Sequence, residues 1–383
     1  MKPMKIALLG LGTVGGGVYE LIDNRNDIVV KYVCCLEEPQ GIRAILTRDL
    51  DRILDDPEIE TVAELMGGLH PAKEYVTRAI RAGKNIVTAN KLLIAECYDE
   101  LTQLATEYGV TVRCTAAAGG GIPWLTGIAR CNRVDRISSI SGIMNGTTNF
   151  ILDSMHQKNV DFDAVLRQAQ QLGYAERDPA ADIDGHDIRN KLVISANVAF
   201  GVSIPPQEVD VFGIRTIRKT DIAAFRQHGL CCRLIAASYR LRDGVTAAVE
   251  PTLVPNESPE AAVHANFNLI CFDAKYAGRQ TFYGQGAGRY PTAYNVVQDL
   301  LDVAKGEAPF YADTATPVHV TNDGHSVCYY VRTVLDDSWL RSVTEERWET
   351  GVLTAPVSVH RMHEWAREAQ KADPALFFAA VRR

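Results

Sequence analysis

The sequence lacks any apolar run near the roughly 18 residues that a membrane-spanning helix requires, and it lacks internal repeats and low-complexity segments. Basic residues are outnumbered by acidic ones, and the net charge is −7. This balance argues against a surface for nucleic acids or anionic membranes. We therefore expect neither a membrane nor a nucleic acid as a partner.

The nine cysteines include no C-x-x-C pair. Four of them form two adjacent pairs, Cys34-Cys35 and Cys231-Cys232, and the others are scattered. Neither a zinc site nor a disulfide framework has this pattern, and an odd number suits a reducing compartment. We expect a cytoplasmic protein.

Its 383 residues, 46% of them hydrophobic, favour two or three globular domains.

A glycine fingerprint follows the first apolar run. Residues 5–9 (KIALL) have the character of a buried strand, and apolar residues at helical spacing follow the motif G-x-G-x-x-G. Such glycines make the turn, admit a pyrophosphate and let the helix pack on the strand, while the helix N-terminus offers free amides. A glycine turn without a ligand is the alternative, but the strand–motif–helix context favours dinucleotide binding. The predicted cofactor-binding residues are Gly10, Gly12, Thr13, Val14 and Gly15.

Apolar strand patterns and helical patterns then alternate to about residue 115, which is typical of a doubly wound parallel sheet. Ligands collect at the carboxyl ends of such strands, where Lys91 follows a predicted strand. A lysine at a helix start opposes the helix dipole, so a specific role is favoured over a solvated surface lysine. The fold class predicted is α/β: a Rossmann-type doubly wound parallel sheet, an α+β substrate and dimerisation domain, and a small C-terminal tail.

We predict three segments along the chain. A dinucleotide-binding domain covers residues 1–133 and is completed by 289–310. A substrate-binding and dimerisation domain covers 134–288, where Arg242-Asp243-Gly244 between two strand patterns predicts a hairpin. The tail covers 320–383.

The most acid-rich stretch, residues 172–192 (LGYAERDPAADIDGHDIRNKL), carries five carboxylates and ends near Lys191. Pro179 and Gly185 predict a loop, and a helical pattern begins at Asp187. Asp187 and Lys191 are four residues apart and share one helix face. Two interpretations follow: a surface ion pair worth only ~0.5 kcal/mol, or a lysine that moves a proton for a small polar substrate.

A second polar block, Asn145 to Asn149 (NGTTN), precedes another helical pattern. Such residues cap helices, and their small donors also suit an amino-acid ligand. The block therefore has a structural and a functional interpretation.

With GLGTVG, VAELMGG, TANK, AAGGGIP, GIMNGTTNFIL, GYAERDPAADIDGHDIRNKL and GQGAG followed by PTA in this order, the chain resembles homoserine dehydrogenase from about residue 5 to about 306. The resemblance implies NAD(P)-dependent interconversion of L-homoserine and L-aspartate 4-semialdehyde in threonine and methionine biosynthesis. It also implies a homodimer, or a dimer of dimers, built on the middle domain.

Roles follow from the matching motif positions. Lys191 matches the lysine that donates and accepts the proton, and Asp187 the carboxylate beside it. The lysine ammonium, placed near the aldehyde oxygen, would stabilise the negative charge that forms on that oxygen and then protonate it. Glu176 matches the acid that binds the substrate amine. The resemblance further implies that Lys91 lies near nicotinamide and substrate. The other implied residues are Asp182, Tyr174, Gly146 and Thr147 for substrate, and Gly173 and Gly288 for cofactor.

The chain departs from the family pattern in two regions that affect ligand binding. Thr115 stands where the family places a glutamate that helps hold a monovalent cation, and Ala118, Gly120 and Ile122 offer only backbone carbonyls. We predict a weak Na⁺ or K⁺ site or none, because no formal negative charge remains. The other departure follows the second strand, where Cys35 and Gln40 stand at positions that are often basic in the family.

The end of the second strand also bears on cofactor choice. It has neither an acid at the usual spacing for the ribose hydroxyl nor an arginine for the 2′-phosphate of NADP. Glu37 and Glu38 would repel that phosphate. Either NAD or NADP fits the fingerprint, and the charges favour NAD.

The tail resembles a shortened ACT domain. Residues 326–334 (SVCYYVRTV) match its first strand. Its end would be formed by residues 350–353, a helix from about Ser358 and a last strand at residues 377–381, and the middle is too short for the full unit. We therefore expect no threonine feedback through it. Two alternatives to the main interpretation are a catalytically idle nucleotide-binding paralogue and a dehydrogenase of another small hydroxy or amino acid.

Overall fold

The computed structural model describes residues 3–36, 40–309 and 316–382. In chain order its strands are β1 (Met4–Leu9), β2 (Ile28–Cys34), β3 (Ile45–Thr47), β4 (Thr61–Glu64), β5 (Asn85–Thr88), β6 (Val112–Arg113), β7 (Ile137–Ile143), β8 (Val202–Ser203), β9 (Asp210–Val211), β10 (Leu230–Tyr239), β11 (Ala248–Pro255), β12 (Asn268–Ala274), β13 (Gly278–Gly284), β14 (Thr316–Pro317), β15 (Ser326–Arg332), β16 (Thr344–Arg347), β17 (Val352–Thr354), β18 (Val357–Ser358) and β19 (Phe377–Val381).

The α-helices, again in chain order, are α1 (Thr13–Asp23), α2 (Asp51–Leu54), α3 (Ala72–Arg81), α4 (Lys91–Glu107), α5 (Trp124–Asn132), α6 (Gly146–Lys158), α7 (Phe162–Gln171), α8 (Ala180–Ile183), α9 (His186–Phe200), α10 (Lys219–Gln227), α11 (Arg289–Ala304), α12 (Ser338–Val343) and α13 (Val359–Ala369). None of those in the described ranges is both long and apolar enough to cross a membrane.

The chain forms two compact units. Unit 1 comprises Met1–Val134, Val193–Ser203 and Gln285–Pro317. Unit 2 comprises the rest, namely Asp135–Leu192, Ile204–Gly284 and Val318–Arg383.

Unit 1 contains a six-stranded sheet in the order β3-β2-β1-β4-β5-β6, and every neighbouring pair is parallel. Its central strands are apolar and buried on both faces, as parallel sheets require. Helix α11 packs on α1, although it lies far along the chain, and Val18, Ala293 and Val296 share one apolar core. The predicted Rossmann-type sheet is confirmed.

Unit 2 is built on a mixed sheet in the order β13-β12-β7-β10-β11-β19-β15-β17-β16. Strands β10 and β11 pair antiparallel, from Leu230 opposite Pro255 to Ala237 opposite Ala248, so the predicted hairpin is confirmed. Strand β7 lies between β10 and β12 and leads directly into α6. The sheet thus fixes the position at which the NGTTN block begins its helix.

The C-terminal segment continues this sheet. It has the order β15-α12-β16-β17-α13-β19, apart from the two-residue strand β18, and its strands lie side by side as β19-β15-β17-β16. All six elements of a βαββαβ unit are therefore present, and the expectation of a missing middle is corrected. The sequence gives little sign of that middle, because α12 has six residues and β16 only four. The expected absence of threonine feedback loses its reason accordingly.

A buried ion pair ties this segment to the rest of unit 2. Arg332 Nε donates to Asp221 Oδ1 at 2.7 Å, and Tyr330 Oη donates to the same oxygen at 2.9 Å. Strand β19 also pairs in parallel with β11, Thr252 lying opposite Ala380. Removing one partner of such a buried pair costs roughly 3–5 kcal/mol, so the segment is an integral part of the unit.

Candidate active site

The fingerprint has the geometry that a bound dinucleotide requires. Gly10 has φ +96°, and a Cβ there would lie 2.9 Å from the Leu65 carbonyl oxygen. A Cβ on Gly15 would lie 2.3 Å from the Gly10 oxygen, whereas one on Gly12 would meet nothing within 4 Å. Space is thus left at Gly12, where the backbone must approach a pyrophosphate. Thr13 and Val14 open α1, whose first turn contains no acidic residue, so the residues present fit the cofactor.

A buried carboxylate organises the loops that follow β4 and β5. Glu64 is fully buried and accepts a hydrogen bond from Thr88 Oγ1 at 2.6 Å. The side chain of Asn90 donates to the Gly68 carbonyl at 2.6 Å and caps the helix that starts at Lys91. Sequence reasoning did not select this network, although an acid at the end of a buried strand was a visible signal.

Asn145 is the centre of a polar cluster in unit 2. Its side chain is 4% exposed, and its carbonyl oxygen accepts from the backbone N–H of Thr148 at 2.8 Å, which caps α6. Its amide nitrogen donates to Asp182 Oδ1 at 2.7 Å and to Asp187 Oδ2 at 2.9 Å. The amide carries two N–H donors, one for each carboxylate. The capping interpretation of NGTTN is confirmed, and the contact with both acids was not foreseen.

Lys191 lies beside this cluster and is 4% exposed. Its Nζ donates to the Met144 carbonyl oxygen at 2.7 Å and forms an ion pair with Asp187 Oδ2 at 2.7 Å. The spacing on α9 thus produces the pair that was predicted. The interpretation as a surface pair is wrong, because both side chains are buried or nearly so.

Asp182 is a second carboxyl group in the same cluster. Burial, followed by the negative charge of Asp187, raises its pKa above the ordinary value for aspartate. The hydrogen bond from Asn145 and the charge of Lys191 act in the opposite direction. Two carboxyl groups, one amine and one amide therefore share a small buried volume.

Three further predicted substrate residues, Thr147, Tyr174 and Gly146, lie around the start of α6. The Thr147 hydroxyl donates to the Tyr174 carbonyl, and the Tyr174 ring meets the Phe150 ring edge-on with 5.2 Å between centroids. Gly146 is the first residue of α6, and a Cβ there would lie 2.6 Å from the Asn266 oxygen. Thr147 and Tyr174 thus hold the loop after α7 against the start of α6, and Gly146 allows the chain at Asn266 to lie close to that helix.

Glu176 is exposed, and its carboxylate makes no hydrogen bond or ion pair to any described residue. Gly173, with φ +75°, follows the C-cap of α7, which is a common place for glycine. Gly288, with φ +128°, is the N-cap of α11. Of the two residues where the family has basic side chains, Cys35 is partly buried and Gln40 is exposed; Glu37 and Glu38 lie outside the described residues.

Thr115, one of the candidate cation ligands, donates hydrogen bonds to a carboxylate. Its Oγ1 and its backbone N–H both donate to Asp299 Oδ2, at 2.8 and 2.9 Å. Asp299 is 1% exposed, and burial raises its pKa to about 7. The side chain of Thr115 therefore presents a hydrogen bond donor to α11.

Two of the three candidate carbonyl groups, those of Gly120 and Ile122, accept hydrogen bonds. The amide nitrogen of Asn295, which is 5% exposed, donates to the Gly120 oxygen and, at 3.3 Å, to the Ile122 oxygen. Ala118 contributes no polar side chain. An N–H group directed at a carbonyl brings a partial positive charge to the place where a cation would bind, so the Gly120 and Ile122 carbonyls are a poor fit for a cation.

Comparisons with known proteins agree with the geometry. The family model for the NAD binding domain of homoserine dehydrogenase matches residues 10–115, and the model for homoserine dehydrogenase matches residues 123–301. The homoserine dehydrogenase of Lactococcus lactis is 39% identical over 320 residues, 79% of this chain and 75% of the relative. That of Synechocystis is 40% identical over 316 residues, 78% and 73% of the two chains. The chain belongs to the homoserine dehydrogenase family.

The solved structure of a homoserine dehydrogenase from Thiobacillus denitrificans matches 100% of this chain and 99% of its own, with a TM-score of 0.87 and 31% identity. This chain is accordingly an NAD(P)-dependent oxidoreductase that acts on a CH–OH group and interconverts L-homoserine and L-aspartate 4-semialdehyde. The predicted family, fold class and enzyme class are confirmed, and the main interpretation holds over both alternatives.

The raised pKa of Asp182 predicts a specific dependence of stability on pH. Because the folded protein holds this proton more tightly than the unfolded chain, the residue becomes less favourable for folding as pH rises from roughly 4, the ordinary carboxyl pKa, through the raised value. In Asp182→Asn the Oδ1 acceptor for Asn145 is kept and the titration is lost. The variant should therefore gain stability relative to the unmodified protein as pH rises through this interval.

Urea unfolding at a series of pH values measures this difference. The unmodified protein, measured in parallel, is the reference at each pH. A difference in unfolding free energy that stays constant across the series would contradict the assignment.

Proposed function

We propose that Lys191 donates and accepts the proton in the reaction. The observation that carries the proposal is its burial between the Met144 carbonyl and the Asp187 carboxylate, each 2.7 Å from Nζ. Asp187 is itself held by Asn145. The amine is therefore positioned by bonds on two sides rather than moving freely, as proton transfer in an active site requires.

The chemistry follows from charge development. A dinucleotide held by the fingerprint would supply the hydride for the aldehyde carbon of L-aspartate 4-semialdehyde, or accept it in the reverse direction. The Lys191 ammonium donates a hydrogen bond to the aldehyde oxygen and stabilises the negative charge that forms there. It then transfers its proton to that oxygen and is left as the neutral amine. In the oxidation of homoserine the amine takes the hydroxyl proton, and Asp187 stabilises the resulting ammonium.

The acids of the loop before α9 would bind the other end of the substrate. Glu176 is exposed, and its carboxylate makes no hydrogen bond or ion pair to a described residue, so the carboxylate is available for the substrate ammonium. Asp182 contributes a second carboxyl group, and Tyr174, Gly146 and Thr147 form the adjoining wall. Carboxylates of this kind match the charge of an amino-acid ammonium group.

Cofactor contacts would come from the fingerprint and from three further residues, Lys91, Gly173 and Gly288. The fingerprint alone accepts either dinucleotide. Cys35 and Gln40 add no positive charge near the end of β2, so NAD is favoured over NADP. For the assembly we propose a homodimer, or a dimer of such dimers, that uses the mixed sheet of unit 2.

Replacement of Lys191 by alanine tests the proton-transfer role. Lys191→Ala should lower kcat by at least about 100-fold, because general acid–base catalysis contributes that much or more. NADH affinity should remain unchanged, which separates the loss of chemistry from the loss of the cofactor site. Steady-state oxidation of homoserine and a fluorescence titration with NADH supply the two readouts.

The matched control is Lys158→Ala, which removes an exposed lysine at the end of α6 in the same unit. It should leave both readouts unchanged. Full turnover in Lys191→Ala would contradict the proposed role of Lys191 in proton transfer.

We also propose that the enzyme works without a bound monovalent cation. Asn295 donors occupy the Gly120 and Ile122 carbonyls, and Thr115 donates to Asp299. Asn295 and Asp299, both on α11, thereby form hydrogen bonds with residues that would otherwise surround an ion. Sodium and potassium should accordingly have no specific effect.

Exchange of the salt cation tests this independence. Replacing NaCl or KCl by choline chloride at equal ionic strength should change neither kcat nor the melting temperature, because the loop is held by protein donors. Equal ionic strength keeps general screening constant. A saturable rise in melting temperature with Na⁺ or K⁺, absent with choline, is the contrary result.

A further inference from the structure

The glycine run at the start of α1 is longer than dinucleotide binding requires. Gly15 belongs to the fingerprint, whereas Gly16 and Gly17 lie inside the helix, where glycine is the least favourable residue after proline. A Cβ on Gly17 would lie 3.0 Å from the Ala293 Cβ, and one on Gly16 would lie 3.2 Å from Arg289 Nη2. The two glycines thus let α11 and its first side chain lie directly against α1.

Arg289 consequently lines a cavity in unit 1. The cavity has a volume of about 660 Å³ and is also bordered by Gly12, Thr13 and residues 40–42. This size is within the range of roughly 300–1,000 Å³ that small-molecule sites occupy. Gly12 and Thr13 belong to the phosphate-binding turn, so Arg289 lies on the wall of the cofactor site itself.

The charges around Arg289 are arranged for an anion. Arg289 is the first residue of α11, where a positive side chain opposes the helix dipole, and the first turns of α1 and α11 contain no acid. Its guanidinium pairs with Glu20 at 2.5 Å, and Tyr290 Oη donates to the other Glu20 oxygen at 2.9 Å. Arg289 and Glu20 are about half exposed, and ion pairs this exposed contribute little to stability.

A second carboxylate borders the cavity, and it belongs to Asp23. It lies 3.7 Å from the guanidinium of Arg43 and is thus also opposite a positive charge. The carboxylates of the cavity are therefore paired with arginines, and the positive helix ends remain to attract an anion.

From these contacts we infer that the Arg289 guanidinium binds a phosphate group of the dinucleotide. The inference rests on the cofactor site of the proposed function. A guanidinium fork matches phosphate oxygens in a bidentate manner that lysine cannot reproduce. The shared chemistry is that of a phosphate, which is either the pyrophosphate of both cofactors or the 2′-phosphate of NADP.

Cofactor titrations of Arg289→Gln distinguish the two phosphates. The dissociation constants of NADH and NADPH, measured by fluorescence or calorimetry, should rise about tenfold, the size expected for a lost charge-assisted hydrogen bond. An equal rise for both cofactors assigns the contact to the pyrophosphate. A rise for NADPH alone assigns it to the 2′-phosphate. Arg81→Gln, which removes an exposed arginine at the end of α3, is the matched control and should change neither constant.

Unchanged constants in a folded Arg289→Gln variant would overturn the inference and leave the proposed function intact. Failure of the unmodified enzyme to bind either cofactor would overturn both. Glu20→Gln provides a second test that keeps Arg289, since it removes the negative charge beside the guanidinium. At low salt this change should tighten the binding of both cofactors if Arg289 contacts the pyrophosphate, or of NADPH alone if it contacts the 2′-phosphate. Weaker binding would contradict the assignment.

Discussion

The hydrogen bonds of the Asn145 side chain are the constraint on which the arrangement of unit 2 depends. One carbonyl oxygen caps α6, and one amide nitrogen donates to Asp182 and Asp187. Asp187 in turn pairs with Lys191. Two carboxylates and an amine would otherwise be costly to bury in one place. A single amide, fixed by the helix that it caps, holds these groups in position.

Helix α11 plays the corresponding part in unit 1. It packs on α1 across the glycine run and contributes three polar side chains along its length. Arg289 lines the cofactor cavity, Asn295 holds the loop at residues 120–122, and Asp299 holds Thr115. A segment that lies between two parts of unit 2 in the chain thus completes both the phosphate end and the loop supports of the dinucleotide unit.

Much of the fold could be predicted from the sequence, because local patterns encode it. The strand–glycine–helix order at residues 4–23 depends on neighbouring residues, and so does the ion pair of Asp187 and Lys191. Long-range contacts leave no such pattern. Nothing near Asn145 indicates that its amide reaches Asp182, and nothing near Thr115 indicates Asp299, which lies on α11. The middle of the C-terminal unit is hidden in the sequence for a different reason, since a helix of six residues and a strand of four have no clear periodicity.

The most direct test of this account is the kcat for homoserine oxidation by Asn145→Asp. The aspartate keeps an oxygen that accepts from the Thr148 N–H, so α6 should stay capped and NADH should bind as before. It loses both donors to Asp182 and Asp187 and adds a third carboxyl group beside them. The account predicts that kcat falls about tenfold or more, with unchanged NADH affinity. An unchanged kcat in a folded variant would contradict it.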